Sequence, residues 1–219
     1  MIITHEADAR AWIAGLPEWS DQAGQQLERL GELLREENAH QNLVAAASLD
    51  TLWLRHIADS AQLLPHVPRE TSSPWLDLGT GAGFPGLVVA ILRPDTAVHL
   101  VESRARRIEW LIRAANTLGL GNVTIHGSRL ELVPTFPVRV ISARAFAPLA
   151  KLIELSARFS TADTRWLLPK GRSAAHELEQ LRGWKHLFHV EQSLTDPDAG
   201  VIVGSLIGPH RSGKKGSKP

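Results

Sequence analysis

The chain has 219 residues, 43% hydrophobic and 21% charged. These are ordinary globular proportions that exclude disordered, collagenous and repeat-array classes and leave room for one domain with a modest extension. It contains no cysteine, which excludes disulfides, cysteine-ligated zinc or iron–sulfur clusters and any thiol nucleophile. The formal net charge of +1 conceals a division along the chain. Residues 1–50 carry three basic and nine acidic side chains, residues 102–172 twelve basic and five acidic, and the last twelve residues four basic and none acidic. A basic later half and tail point to a polyanionic partner. No apolar window approaches about 18 residues, and MIITHEADAR has acids where a signal peptide carries a basic region. The chain therefore reads as a cytoplasmic protein with no membrane segment.

In chain order, Ala23, Leu27, Leu30, Leu33 and Leu34 recur at helical spacing between Ser20 and about Ala39, which predicts an amphipathic helix. A second helical run after Ser48 buries Leu49, Leu52, Trp53 and Ile57 and stops before Pro65. Residues 68–74, PRETSSP, read as a linker. The periodicity then changes to short apolar runs at Trp75–Leu78, Ala97–Val101, Asn122–His126, Val138–Ser142 and Trp166–Leu168, separated by helices beginning near Pro85, Arg104, Leu130, Pro148 and Ser173. Strands alternating with helices imply an α/β fold with a parallel sheet covered on both faces. Lys185–Gln192 and Gly200–Ile207, joined by the turn-rich TDPDAG, predict an antiparallel hairpin that closes the sheet. The expected organisation is a helical extension over 1–67, an α/β domain over 68–207 and a basic, disordered tail over 208–219.

The most informative stretch is Trp75-Leu-Asp77-Leu-Gly79-Thr-Gly81-Ala-Gly83-Phe84-Pro85-Gly86, a strand entering a glycine-rich turn and then a helix. In a doubly wound sheet such a turn lies at the carboxyl end of the first strand, where ligands bind. Gly81-x-Gly83-x-x-Gly86 matches the dinucleotide fingerprint, and Glu102 follows at the end of the second strand. An NAD-dependent oxidoreductase is therefore one reading. The offset opposes it, because the fingerprint frame starts two residues too late and Phe84-Pro85 crowds the helix entrance that pyrophosphate would need. Asp-x-Gly-x-Gly-x-Gly instead resembles motif I of the class I S-adenosylmethionine-dependent methyltransferases. That resemblance implies a Rossmann-like, mostly parallel sheet with an antiparallel C-terminal hairpin. It also implies a loop (Gly79, Gly81) wrapped around the methionine portion of S-adenosylmethionine, and an acid, Glu102, accepting two ribose hydroxyls.

Further runs occur in an order that is similar to one family: Asn42-Leu43-Val44, Arg55-His56-Ile57-Ala58-Asp59-Ser60, Gly79 to Gly86, Ser128-Arg129-Leu130-Glu131, Ser142-Ala-Arg144-Ala-Phe146-Ala and Lys170-Gly171. Over roughly residues 25–207 the chain resembles the ribosomal RNA small-subunit methyltransferase G (glucose-inhibited division protein B) family, which methylates guanine N7 in 16S rRNA. The resemblance implies cofactor contacts from Gly79, Phe84, Leu130, Glu131 and Arg144, and a partner that is 16S rRNA or the small ribosomal subunit. Arg106 stands where the family commonly has lysine, and Glu36–Gln41 replace an aromatic-rich lead-in. Arg106, Arg129 and Lys170 are the candidate RNA cations, the last two just past the third and fifth strands. Arg144 and Lys170 are the candidate catalytic residues.

Several of these residues have plainer readings. Ser128-x-x-Glu131 is a capping box, His56 and Asp59 read as a packed histidine with a helix-surface partner, and Phe146 reads as core. His186 and His189, three apart on a strand, point to opposite faces and share no metal; none is expected, and the protein is expected to be a monomer. The absence of cysteine argues against pyrimidine C5 methylation, and Ser-Ala-Arg-Ala-Phe-Ala-Pro after the fourth strand is unlike the Asn/Asp-Pro-Pro-aromatic motif of exocyclic-amine methylation. Guanine N7 has an in-plane lone pair and no proton, so its methylation needs no general base. A non-catalytic RNA-binding module on the same fold is the remaining alternative.

Overall fold

The computed structural model describes residues 2–71 and 74–210; the tail expected beyond Gly208 lies almost wholly outside these. The order of elements begins with helices α1 (Glu6–Ala14) and α2 (Asp21–Asn38), then a π-helical segment, Trp53–Ala58, that runs into α3 (Asp59–Ala61). Strand β1 (Trp75–Leu78) and helix α4 (Gly86–Leu92) follow, then β2 (Val98–Val101), α5 (Ala105–Thr117), β3 (Val123–His126), β4 (Val138–Ala143), α6 (Leu149–Ser156), β5 (Ser160–Gly171) and α7 (Ala174–Glu179). Four strands, β6 (Trp184–His186), β7 (His189–Gln192), β8 (Gly200–Gly204) and β9 (Leu206–Pro209), complete the chain.

Seven strands form one sheet in the order β3-β2-β1-β4-β5-β8-β7. The first five pair in parallel and β8 runs antiparallel between β5 and β7. Strand order reverses between β1 and β4, the switch point at which a doubly wound sheet opens a crevice. Period-two alternation sorts side chains between two cores. Trp75, Val140, Leu167 and Val203 face α4, α5 and the N-terminal helices, whereas Leu76, Leu78, Ile141, Trp166 and Ile202 face α6. The segment 1–67 thus shares its core with one face of the sheet. Buried Arg93 fastens the two: its guanidinium donates to Glu18 (3.1 Å) and to the carbonyls of Leu64 (3.2 Å) and Val67 (2.9 Å).

Three local expectations differ from the structure, which also adds one helix. Helix α1 carries too weak an apolar stripe to read in sequence, although Ala9 and Ile13 are buried. The second helical run is wound as a π-helix, its N-terminus capped by the Glu6 carboxylate accepting from Trp53 N (2.8 Å) and Leu54 N (2.9 Å). The helix expected near Leu130 is one 3-10 turn, Leu130–Leu132, and the capping box does not form: the Ser128 hydroxyl turns to the Arg129 carbonyl and Glu131 pairs with Arg129. The run Lys185–Gln192 is two strands, because β6 leaves the main sheet to pair with β9. Gly204, at φ +148°, makes that change possible, since a side chain there would collide with the Leu187 carbonyl.

Candidate active site

The glycine loop rests on a buried polar post. Asp77, fully enclosed under the loop, accepts from Gly86 N–H (3.0 Å) through Oδ2 and from the Ser142 hydroxyl (2.7 Å) through Oδ1, while Trp75 Nε1 donates to Ser142 Oγ (2.8 Å). Burial pushes the Asp77 carboxyl up to about 6 despite these hydrogen bonds. Trp110 Nε1 holds the loop from the other side through the Ala82 carbonyl (3.0 Å). Gly79 and Gly81 both have φ +60°, conformations that cost a side-chain-bearing residue. At the end of β2, Glu102 is 6% exposed and accepts from Gly81 N–H (3.1 Å) on Oε2 and from Ser103 and Arg104 N–H (2.7 and 2.9 Å) on Oε1.

These features fit S-adenosylmethionine. A carboxylate offers about four acceptor positions, and Oε2 of Glu102 keeps one beyond its bond to Gly81 for a ribose hydroxyl. The sequence reading expects Glu102 to accept two ribose hydroxyls; in the structure Ser103 and Arg104 N–H take both positions on Oε1, which leaves room for one, and Glu102 also closes the loop through Gly81. A dinucleotide fits poorly. Gly86 N–H, at the start of α4, is spent on Asp77, and Pro85 offers no N–H, so a pyrophosphate would meet a carboxylate where it needs donors.

On the other side of β4 a cavity of about 900 Å3 opens at the C-terminal ends of β4 and β5, lined by residues that include His56, Asp59, Arg144, Lys170, Glu177 and Asp196. Arg144, just past β4, stands between cavity and loop. It donates to Asp59 Oδ2 (3.1 Å) and to the Arg55 carbonyl (3.3 Å), and its guanidinium lies 5.3 Å from the Phe84 ring. It also faces His56 Nδ1 at 3.4 Å. Arginine can only donate, so Nδ1 is the acceptor and Nε2–H donates to Ser48 Oγ (2.7 Å). Burial, reinforced by Arg144 and Arg55, pushes His56 down to about 3, which keeps it neutral. His56 and Asp59, read in sequence as packing residues, are the seat of Arg144.

The remaining expected residues divide. Phe84 is 2% exposed and stacks on His56 at 5.1 Å, so only its backbone is free to meet a cofactor. Leu130 is core, whereas Glu131 is exposed and paired with Arg129 (2.9 Å). Phe146 is partly buried against Gly79. Arg129 is 72% exposed, and Arg106 is exposed and donates to the His40 carbonyl (2.8 Å). Lys170 differs from the expectation of an RNA cation. Its side chain is 8% exposed, paired with Glu177 (3.0 Å) and donating to the Ala147 carbonyl (2.6 Å). It therefore pins the loop that follows Arg144. Among the described residues no three His, Asp or Glu side chains converge as a metal site. His186 ends β6 while His189 begins β7.

Comparison with known proteins agrees with this geometry. Residues 23–195 match a family described as rRNA small subunit methyltransferase G. A ribosomal RNA small subunit methyltransferase G from Novosphingobium aromaticivorans is 56% identical over 210 residues, covering 94% of this chain and 91% of its own. Another, from Erythrobacter litoralis, is 57% identical over 205 residues, covering 93% and 97%. Among solved structures, a SAM-dependent methyltransferase from Aquifex aeolicus aligns with a TM-score of 0.53 at 17% identity, over 68% of this chain and 89% of that one. Aeropyrum pernix fibrillarin with bound S-adenosyl-L-methionine aligns with a TM-score of 0.53 at 16% identity, over 69% and 75%. These two share the fold. A glycine loop seated on Asp77, an acid ending β2 and an arginine after β4 occur here in a chain whose sequence matches one family over most of its length, and the chain belongs to the rRNA small subunit methyltransferase G family.

Proposed function

We propose that the protein transfers a methyl group from S-adenosylmethionine to N7 of a guanine in 16S rRNA, working as a cytoplasmic monomer. The observation that carries this reading is the state of the groups around Arg144. The one histidine in reach, His56, is neutral, and its free lone pair is spent on Arg144. His56 is therefore poor at removing protons, and guanine N7 has none to remove. Bound S-adenosylmethionine would supply an electrophilic methyl group on sulfur. Gly79, Gly81 and Glu102 would hold that group, and because guanine N7 carries a lone pair and no proton, a base methylated there would be cationic with no proton for the chain to remove.

The chain's contribution is then alignment, which supplies on the order of 7–11 kcal/mol when two reactants are held in line. Arg144 orients the base by donating to guanine O6, because a hydrogen bond to N7 would occupy the reacting lone pair. Lys170 and Glu177 fix the loop carrying Arg144, and Arg106 and Arg129 hold phosphates. The helical segment 1–67 supplies His56 and Asp59 and so completes the wall of the cavity. No helix among the described residues is long and apolar enough to cross a membrane. The test is incubation of small-subunit RNA from a strain lacking the protein with labelled S-adenosylmethionine, followed by nucleoside identification. Label in 7-methylguanosine is expected; label in another nucleoside, or RNA binding without transfer, would overturn the proposal.

A further inference from the structure

Three acids line the cavity beside Arg144, and two of them have both oxygens in close hydrogen bonds. Asp59 accepts from Gln62 Nε2 and Thr195 Oγ (2.8 Å each) on one oxygen and from Arg144 on the other. Glu177 accepts from Ser173 Oγ (2.7 Å) on one oxygen and from Leu149 N–H (2.7 Å) and Lys170 (3.0 Å) on the other. Asp196 is different. Its Oδ1 accepts from Asp198 N–H (3.0 Å), while Oδ2 has only Arg55 at 3.5 Å, whose side chain is 51% exposed.

The loop that carries Asp196 is held in advance. Ser193 N–H bonds to the Ala199 carbonyl (3.0 Å) and Ala199 N–H to the Asp196 carbonyl (3.2 Å). The Gln192 amide spans the carbonyls of Asp196, Pro197 and Ala199 at 3.1, 3.2 and 2.9 Å. An acceptor oxygen with spare capacity is thus fixed in the cavity wall at little ordering cost. Arg55 links it to the reacting side, since the Arg55 carbonyl accepts from Arg144 and the Arg55 guanidinium faces Asp196.

Resting on the guanine reading above, we propose that Asp196 determines base specificity by accepting hydrogen bonds from N1–H and the 2-amino group of the guanine while Arg144 donates to O6. O6 and N1 are neighbours on one edge of the base, and Arg144 and Asp196 both contact Arg55 and line the same cavity, which puts a donor and an acceptor on one side of a bound base. The same carboxylate rejects adenine, whose N1 is an acceptor and would face it lone pair to lone pair. Asp59 and Glu177 each accept three close hydrogen bonds, whereas Asp196 accepts one at 3.0 Å, so Asp196 has the most acceptor capacity to spare.

The test compares full-length wild type with Asp196→Asn in single-turnover methyl transfer to small subunits reconstituted with guanosine or inosine at the accepting position. Inosine lacks the 2-amino group but keeps N7, O6 and N1–H. Wild type should favour guanosine by about tenfold or more, the range expected for one hydrogen bond to a charged acceptor. Asp196→Asn should lose at least tenfold on guanosine, and its guanosine-to-inosine ratio should fall to within about threefold of one. The amide oxygen retains the bond to Asp198 N–H, so the loop should persist. Asp198→Asn, which loses only the exposed ion pair with Arg172, should keep the wild-type ratio. A wild type indifferent to inosine, an Asp196→Asn protein with the wild-type ratio, or an Asp198→Asn protein that loses the ratio equally would each overturn the assignment. Failure of the guanine reading looks different: the wild type would form no 7-methylguanosine even on guanosine-bearing subunits, and this inference would fall with it.

Discussion

Asp59→Asn isolates the anchoring of Arg144 from the fold around it. The Arg144–Asp59 contact is 3.1 Å, with side chains 23% and 20% exposed, sheltered enough to count as a charge-assisted hydrogen bond of about 1.5–3 kcal/mol. The other polar partners of Arg144, the Arg55 carbonyl and His56, lie at 3.3 and 3.4 Å and cannot replace it. The amide keeps an oxygen for Gln62 and Thr195, so the N-terminal helices and the Ser193–Thr195 segment stay joined. If the lost energy appears in alignment of the base, the single-turnover rate falls by about 10- to 100-fold. Cofactor affinity by calorimetry should stay within about threefold, because Asp59 has no contact with the glycine loop. In an Arg144→Ala background, itself slowed by orders of magnitude, Asp59→Asn should cost nothing further, since the interaction is already gone. An Asp59→Asn protein that transfers methyl groups within twofold of wild type would show that Asp59 is a structural cap and that Arg144 positions itself.

Other outcomes follow from the same geometry. Gly81→Val places a β-branched side chain at φ +60° beside Arg107 and should abolish cofactor binding in calorimetry while the protein remains folded; unchanged affinity would place the cofactor elsewhere. Glu18→Ala leaves Arg93, 8% exposed, as an uncompensated buried cation and should cost about 3–5 kcal/mol in denaturant titrations, where loss of the exposed Arg172–Asp198 pair costs under about 1 kcal/mol. Because His56 is held down to about 3 and N7 bears no proton, single-turnover rates should be nearly flat from about pH 6 to 9; a rise through pH 6.5 that vanishes in His56→Ala would reveal a general base. For stability the sign is fixed by linkage. The unfolded chain binds a proton at His56 from about pH 6.5 downward and the folded chain does not, so stability from this group is present above pH 6.5 and lost as pH falls toward 3. Asp77, raised to about 6, opposes this between about pH 4 and 6, and Asp77→Asn should therefore steepen the acid loss seen by chemical denaturation.

Local pattern sufficed for the strands, the glycine loop and the acid after β2, because each is a property of contiguous residues. Apolar runs of four to six residues bounded by turn residues suit central strands buried on both faces, and Asp77 through Gly86 carry their turn geometry in their own glycines. The same locality failed where partners come from afar. The π-helical segment owes its capped start to Glu6, 47 residues earlier. The 3-10 turn at Leu130 and the division of Lys185–Gln192 reflect pairings with segments that periodicity does not see. The cavity is the largest such case. Asp59, Arg144, Lys170 and Asp196 meet because β4 and β5 end on one edge of the sheet, the N-terminal helices pack across it, and β8 returns the chain beside β5. Which acid is spent on an internal partner and which keeps a free oxygen is settled by distances of a few tenths of an ångström. Sequence determined the residue types available for the chemistry; the tertiary structure decided which were left unsatisfied and facing the same space, since hydrogen-bond saturation belongs to the assembled fold and not to any segment of it.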